Sequence, residues 1–164
     1  MIILGIDPGL RNTGYGVISY QPHRLQFISA GLIKTNTKQA FSEKLRTLYD
    51  GISEVITLHK PDVFAIEETF YNTNAKTSLL LGHARGVLIL AGAHAKLDVL
   101  EYAAKFVKKA LTGNGSASKE QVKYMVERIL KYDRLPENNF DISDALAVAL
   151  THQNQIKFKQ LTNN

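Results

Sequence analysis

Three β-rich runs joined by short turns begin the chain, and the first of them ends on Asp-Pro-Gly. Ile2 to Asp7 stops at Pro8-Gly9; Thr13 to Tyr20 follows, closed by Gln21-Pro22-His23; Leu25 to Lys34 is the third run. Connections this short join antiparallel neighbours, because a parallel pair needs a long crossover. The runs therefore predict a meander. Phe41, Leu45, Leu48, Ile52, Val55 and Ile56 then repeat at three and four residues, a helix stopped by Lys60-Pro61. Val63 to Glu67 is short and nearly all apolar, the pattern of a central strand. A helix over 77–96, a strand over Asp98–Tyr102 and a short helix over Ala103–Leu111 follow. The Gly-, Asn- and Ser-rich stretch 112–117 reads as a loop. Ser118 and Gln121 have capping-box spacing and open a helix to about Tyr132. The last helix spans Asp141 to Gln155, and residues 156–164 are expected to fray as a flexible tail. The order βββ-α-β-α-β-α-α-α predicts an α/β domain, a mixed five-stranded sheet flanked by helices. With 164 residues, one domain over 1–155 is expected.

Charge is unevenly placed along this frame. The chain has 20 Lys+Arg and 15 Asp+Glu, net +5. Residues 1–70 are balanced, 71–104 carry +1, 105–134 carry +5 and 135–164 carry −1. The surplus thus belongs to one stretch, which points to a polyanion, most often nucleic acid. The bland alternative is a pair of solvated Lys-rich helix faces. There is no Cys, which removes disulfides, thiolate metal sites and a Cys nucleophile. Leu79 to Ala95 is apolar but includes His83, Arg85 and His94 and is shorter than the ~20 residues of a membrane span. It reads as a buried helix, with no membrane partner. No targeting signal is visible, and the expected location is cytoplasmic.

Four carboxylates stand out. Asp7 precedes a proline, which holds it extended at the end of its strand, and Gly5 shares its face. Glu67 ends the other short apolar strand, with Ala65 on its face. Glu68 falls on the opposite face, and pattern alone does not say which of the two meets a site. Asp141 and Asp144 are three apart at a helix start and so share a face. There they also suit the helix dipole, which is the ordinary explanation for them. If the four converge, their repulsion must be relieved by metal or by raised pKa values. Oxygen-only donors favour Mg²⁺ or Mn²⁺. Two such ions ~4 Å apart suit in-line phosphoryl transfer. With the basic stretch holding a polyanion, the pattern points to a metal-dependent nuclease.

Five ordered blocks carry a specific resemblance. Ile3-Leu4-Gly5-Ile6-Asp7-Pro8-Gly9 with Thr13-Gly14-Tyr15-Gly16, Phe64-Ala65-Ile66-Glu67, Leu81-Gly82-His83-Ala84-Arg85-Gly86-Val87, Gly113-Asn114-Gly115-Ser116-Ala117 and Asp141-Ile142-Ser143-Asp144-Ala145-Leu146-Ala147 resemble the RuvC family of Holliday-junction resolvases, from residue 2 to about 152. The resemblance implies a ribonuclease-H-like fold and a homodimer. It implies cleavage of four-way DNA junctions by paired nicks, dependent on two Mg²⁺ per subunit (Mn²⁺ substituting), with 5′-phosphate and 3′-hydroxyl ends. It also implies a RuvA–RuvB branch-migration complex as partner. The family's acidic tetrad falls on Asp7, Glu67, Asp141 and Asp144, with Asp7 bridging, which selects Glu67 over Glu68. The family's base-stacking aromatic aligns with Phe70, and its basic residues near the cut strand align with Lys108 and Lys119. Where some relatives have a basic residue in the loop after the aromatic, this chain has Thr73.

Phe70 and its neighbour Tyr71 lie in a polar loop, where an exposed aromatic suits base stacking worth ~1–3 kcal/mol. Lys76, Arg85 and Lys123 complete the expected DNA contacts. Lys119 opposes the dipole at a helix start, a local conflict that hints at function. The helix over 77–96 is rich in Gly and Ala, so one side is expected on the sheet and the other against a second subunit. The rival readings are a non-catalytic junction binder, an actin-like or sugar-kinase-type ATPase fragment, and a general ribonuclease H.

Overall fold

Val63 to Ile66 and Ile3 to Ile6 are apolar at odd and even positions alike, so the strands they form need helices on both faces of their sheet. The computed structural model describes residues 1–22, 24–68, 74–132, 135 and 139–162. Among these, β1 (Ile2–Asp7), β2 (Asn12–Gln21), β3 (Arg24–Lys34), β4 (Val63–Glu68) and β5 (Asp98–Ala103) form one sheet in the order β3-β2-β1-β4-β5. The first three strands are the antiparallel meander, and β4 and β5 join in parallel on the other side of β1. The helices are α1 (Phe41–His59), α2 (Ala75–His94), α3 (Ala104–Thr112), α4 (Lys119–Leu130) and α5 (Asp141–Thr162).

Strand alternation divides the core in two. Leu4, Ile6, Phe64 and Ile66 pack under Leu48 and Ile52 of α1 and Ala84 and Leu88 of α2. Ile3 and Ala65 face the other way, under Val107 of α3, Val126 of α4 and Leu146 and Leu150 of α5. Residues 145–150 of α5 are all buried, because the sheet lies beneath that stretch and α3 and α4 lie beside it. The close approach depends on glycine. A Cβ on Gly5 would run into the Ala145 carbonyl and the Ala149 amide, and one on Gly14 would run into the Asp141 carbonyl.

Most boundaries differ from expectation by a residue or two, and the end of α5 by more. Helix α5 continues past Gln155 to Thr162, so 156–162 are helical rather than a frayed tail. Ile156 packs against the α5-side core, and the Thr162 hydroxyl donates to the Phe158 carbonyl, which together carry the helix on. Helix α2 begins at Ala75, earlier than expected, because the Asn74 side chain caps it by accepting from the Thr77 amide.

Candidate active site

The β1–β4 pairing sets Gly5 beside Ala65 and Ile6 beside Ile66. Asp7 and Glu67 are the next residues of the two strands, on the face that α5 covers, above the space the two small residues leave. Glu68 belongs to the opposite face, with Phe64 and Ile66. The loop after Asp7 is tied down by Thr13, which is fully buried. Its hydroxyl donates to the Gly9 carbonyl (2.7 Å) and accepts from the Gly9 amide (3.2 Å).

Helix α5 delivers the other two acids. The Asn139 side chain accepts from the Asp141 amide (2.9 Å), an Asx turn that starts the helix without using either aspartate as a cap. Seated on Gly14, which pairs with Asp7 across the sheet, the first turn of α5 stands over the end of β1. Helices α3 and α4 close the remaining side. Asp7, Glu67, Asp144, Lys108 and Lys119 line a cleft of about 210 Å³ with apolar walls from Ala104, Val107 and Val122. Lys119 Nζ binds an Asp144 carboxylate oxygen at 2.9 Å and lies 5.8 Å from the centre of the Phe140 ring.

This cleft carries an electrostatic conflict. Burial raises the pKa of Asp7 well above the usual carboxylate range, and the charges of Glu67, Asp144 and Asp141 push it further. Glu67 is pushed up to about 7, by burial first and then by Asp144, against the pull of Lys119 and Lys108. Asp144 is also raised by burial, although the hydrogen bond and charge of Lys119 act to lower it. Burial acts to lower the pKa of Lys119, but its bond to Asp144 and the charges of Asp144, Asp7 and Asp141 leave it raised. The arrangement takes up positive charge, and its donors are carboxylate oxygens, so the chemistry of the set fits a hard divalent cation. Among the described residues no three carboxylates or imidazoles stand grouped closely enough to hold a metal ion as they are. The acids instead flank an open cleft, with Lys119 as the nearest cation.

The family model for crossover junction endodeoxyribonuclease RuvC matches residues 3–152. The chain belongs to the RuvC family. The RuvC of Tolumonas auensis is 51% identical over 151 residues, covering 92% of this chain and 86% of that protein. That of Alkaliphilus oremlandii is 44% identical and covers 98% of both chains. Among solved structures, Thermus thermophilus RuvC superposes with a TM-score of 0.86 at 30% identity over 97% of both chains. The same protein in complex with Holliday junction substrate gives 0.86 at 28% identity over 96% of both. The fold is the ribonuclease-H-like α/β fold, the mixed sheet flanked by helices that the sequence predicts.

The other residues expected of a RuvC chain divide clearly. Lys108 and Lys119 are at the cleft. Lys123 is not among its lining residues; its side chain is 14% exposed and Nζ stands 3.8 Å from Glu127. Lys76 is exposed in the first turn of α2. Phe70, Tyr71 and Thr73 lie outside the described residues. Arg85 departs from expectation. It sits on α2, on the face of the sheet away from the cleft, where it pairs with Glu101 and its Nε donates to the Glu67 carbonyl (3.4 Å). Its partner is an acid on β5, a contact that helix periodicity does not reveal. Thr13 and Asn139 were also missed as supports of the site. Asn139 had a readable signal, an Asx residue two before the helix start.

Proposed function

We propose that this chain resolves four-way DNA junctions by divalent-metal-dependent hydrolysis, cutting opposed strands in symmetric pairs. One observation carries the reading. In a RuvC chain, three of the four expected acids line one cleft with two lysines, and the fourth, Asp141, acts electrostatically on Asp7 and Asp144. Asp7, Glu67, Asp141 and Asp144 would hold two Mg²⁺ ions, with Mn²⁺ as a substitute. When bound, the metal supplies activation of water and stabilisation of the departing 3′ oxygen, leaving 5′-phosphate and 3′-hydroxyl ends. The protein's own contribution is position. The ends of β1 and β4 hold Asp7 and Glu67, the first turn of α5 holds Asp141 and Asp144, and Lys108 and Lys119 face the phosphate chain. Lys119 Nζ, held by Asp144 at 2.9 Å, would be free to bind a phosphate oxygen where Asp144 served a divalent ion instead.

The working unit is a homodimer, whose two-fold symmetry matches two cuts. Helix α2 supports this. Leu79, Gly82, His83, Gly86 and Leu90 form an exposed stripe, and a Cβ on Gly82 or Gly86 would meet open space. No helix among the described residues is long and apolar enough to cross a membrane. We assign the protein to the cytoplasm, acting with a RuvA–RuvB complex. A non-catalytic binder would have no use for acids facing a phosphate backbone.

The test is a labelled four-way junction beside a linear duplex, each with Mg²⁺ or with chelator. Paired symmetric nicks are expected in the junction only and with metal only. Equal cutting of linear duplex, or cutting in chelator, refutes the reading. Asp7→Asn should still bind the junction and fail to cut it.

A further inference from the structure

Helix α2 packs on the far side of the sheet, yet one of its side chains grips the strand that carries a cleft acid. Arg85 is largely buried, with a side-chain exposure of 19%. Its Nε donates to the Glu67 carbonyl at 3.4 Å, and a terminal guanidinium nitrogen pairs with Glu101. Register puts Glu101 beside Ile66, so the two acceptors occupy adjacent strands one residue apart. The β1–β4 pairing ends at Ile6–Ile66, so Glu67 lies beyond it and has only β5 beside it. A strand end supported on one side is where local opening concentrates. A guanidinium suits the task, because its rigid planar fork aims two N–H groups at once, whereas an ammonium offers a single point.

We infer that Arg85 is a positioning residue for Glu67, holding the Glu67 backbone from behind the sheet so that its carboxylate faces Asp7 and Asp144 across the cleft. The inference rests on the reading of Glu67 as part of the cutting site. Glu101 serves the same end at one remove, by fixing the guanidinium. Supports of this kind behind a metal ligand are worth about 10–100-fold in metal affinity or activity.

The experiment compares Arg85→Ala, Arg85→Lys, Glu101→Gln and Glu67→Gln with the wild-type full chain. Junction affinity is read by fluorescence anisotropy in chelator over a salt series. Mn²⁺ affinity of the DNA-free protein is read by calorimetry, and the folded fraction by urea unfolding. Single-turnover cutting is followed against metal concentration. Arg85→Ala should keep the junction affinity and its salt slope, lose about 10–100-fold in Mn²⁺ affinity, and need correspondingly more metal to cut. Arg85→Lys should recover part of the loss, and Glu101→Gln should show a smaller loss of the same kind. Weakened junction binding with a shallower salt slope and unchanged Mn²⁺ affinity would make Arg85 a DNA contact and overturn the inference. Unchanged Mn²⁺ affinity per folded molecule, with only stability lowered, would overturn it as well. If Glu67→Gln cuts at the wild-type rate, the reading of the site itself fails. If Glu67→Gln is inactive while Arg85→Ala matches wild type, only the role of Arg85 fails.

Discussion

Replacing Glu67 by glutamine should make the metal-free protein more stable while abolishing cutting, and the gain should depend on pH. The pKa of Glu67 rises from 4.5 to about 7 on folding, chiefly through burial and secondarily through Asp144. A carboxyl with a raised folded pKa holds its proton more tightly in the native state than in the unfolded chain. Its contribution to stability is therefore full below pH 4.5 and is lost as pH rises through 7. Above that, the folded protein carries a charge that it accommodates poorly. At 1.36 kcal/mol per pKa unit, the penalty is about 3 kcal/mol. Glutamine keeps the shape of the protonated acid and cannot ionise. Glu67→Gln should gain about 3 kcal/mol over wild type at pH 8 in chelator, or about 6–12 °C in Tm for a domain of this size. Near pH 4.5 the two proteins should unfold together. Thermal and urea unfolding at both pH values, in chelator, measure this directly. Adding Mg²⁺ at pH 8 should then stabilise wild type more than the variant, since binding to the native state alone raises stability. A variant no more stable than wild type at pH 8, or equally advantaged at pH 4.5, would refute the argument that burial and mutual repulsion hold this carboxyl partly protonated.

Lys119→Ala should reduce the salt slope of junction binding by about one and slow cutting, read by anisotropy and single-turnover assays over a salt series. The same change removes the cation that lowers the pKa of Asp144, so that carboxyl should titrate higher still in the metal-free protein, as read by carboxyl NMR. Gly5→Ala should cost about 1–3 kcal/mol in urea unfolding, because its Cβ meets the α5 backbone rather than a side chain that can turn away. Leu90→Lys, on the exposed stripe of α2, should yield a monomer by light scattering, with paired cutting lost and the fold retained.

The sequence legibly placed Asp7 and Glu67 at strand ends, because a proline and a run of apolar residues mark those ends locally. It did not show that β1 and β4 are neighbours, since parallel pairing is decided by packing across a crossover rather than by a turn. Glu67 and Glu68 were indistinguishable by pattern for a related reason. A strand buried on both faces offers no polar side to orient the alternation, and only the seating of α5 over Ala65 and Gly5 tells the faces apart. The ion pair of Arg85 was not legible, because a cation in the apolar middle of α2 looks like a residue kept for the surface. Its partner, Glu101, reaches it from β5, a contact that no helical spacing encodes. The end of α5 misled in the opposite sense, since a polar run reads as a tail until Ile156 is seen against the core.

Local conflict was the more dependable guide to the site. Lys119 stands in the first turn of α4, where a positive charge opposes the helix dipole. The same turn compensates for it. Ser118 and Gln121 form a full capping box, and Glu120 supplies negative charge, its pKa lowered by hydrogen bonds from its own backbone and from Ser118. Asp141 and Asp144 suit the dipole of α5 but crowd Asp7, and Asp144 also crowds Glu67 and is the acid that Lys119 reaches. Each helix start thus carries charges that are awkward in one setting and useful in the other, and the two settings meet in one cleft. Buried acids and a lysine at a helix start both work against stability, and a site where several local rules are broken together is where a fold is expected to serve chemistry.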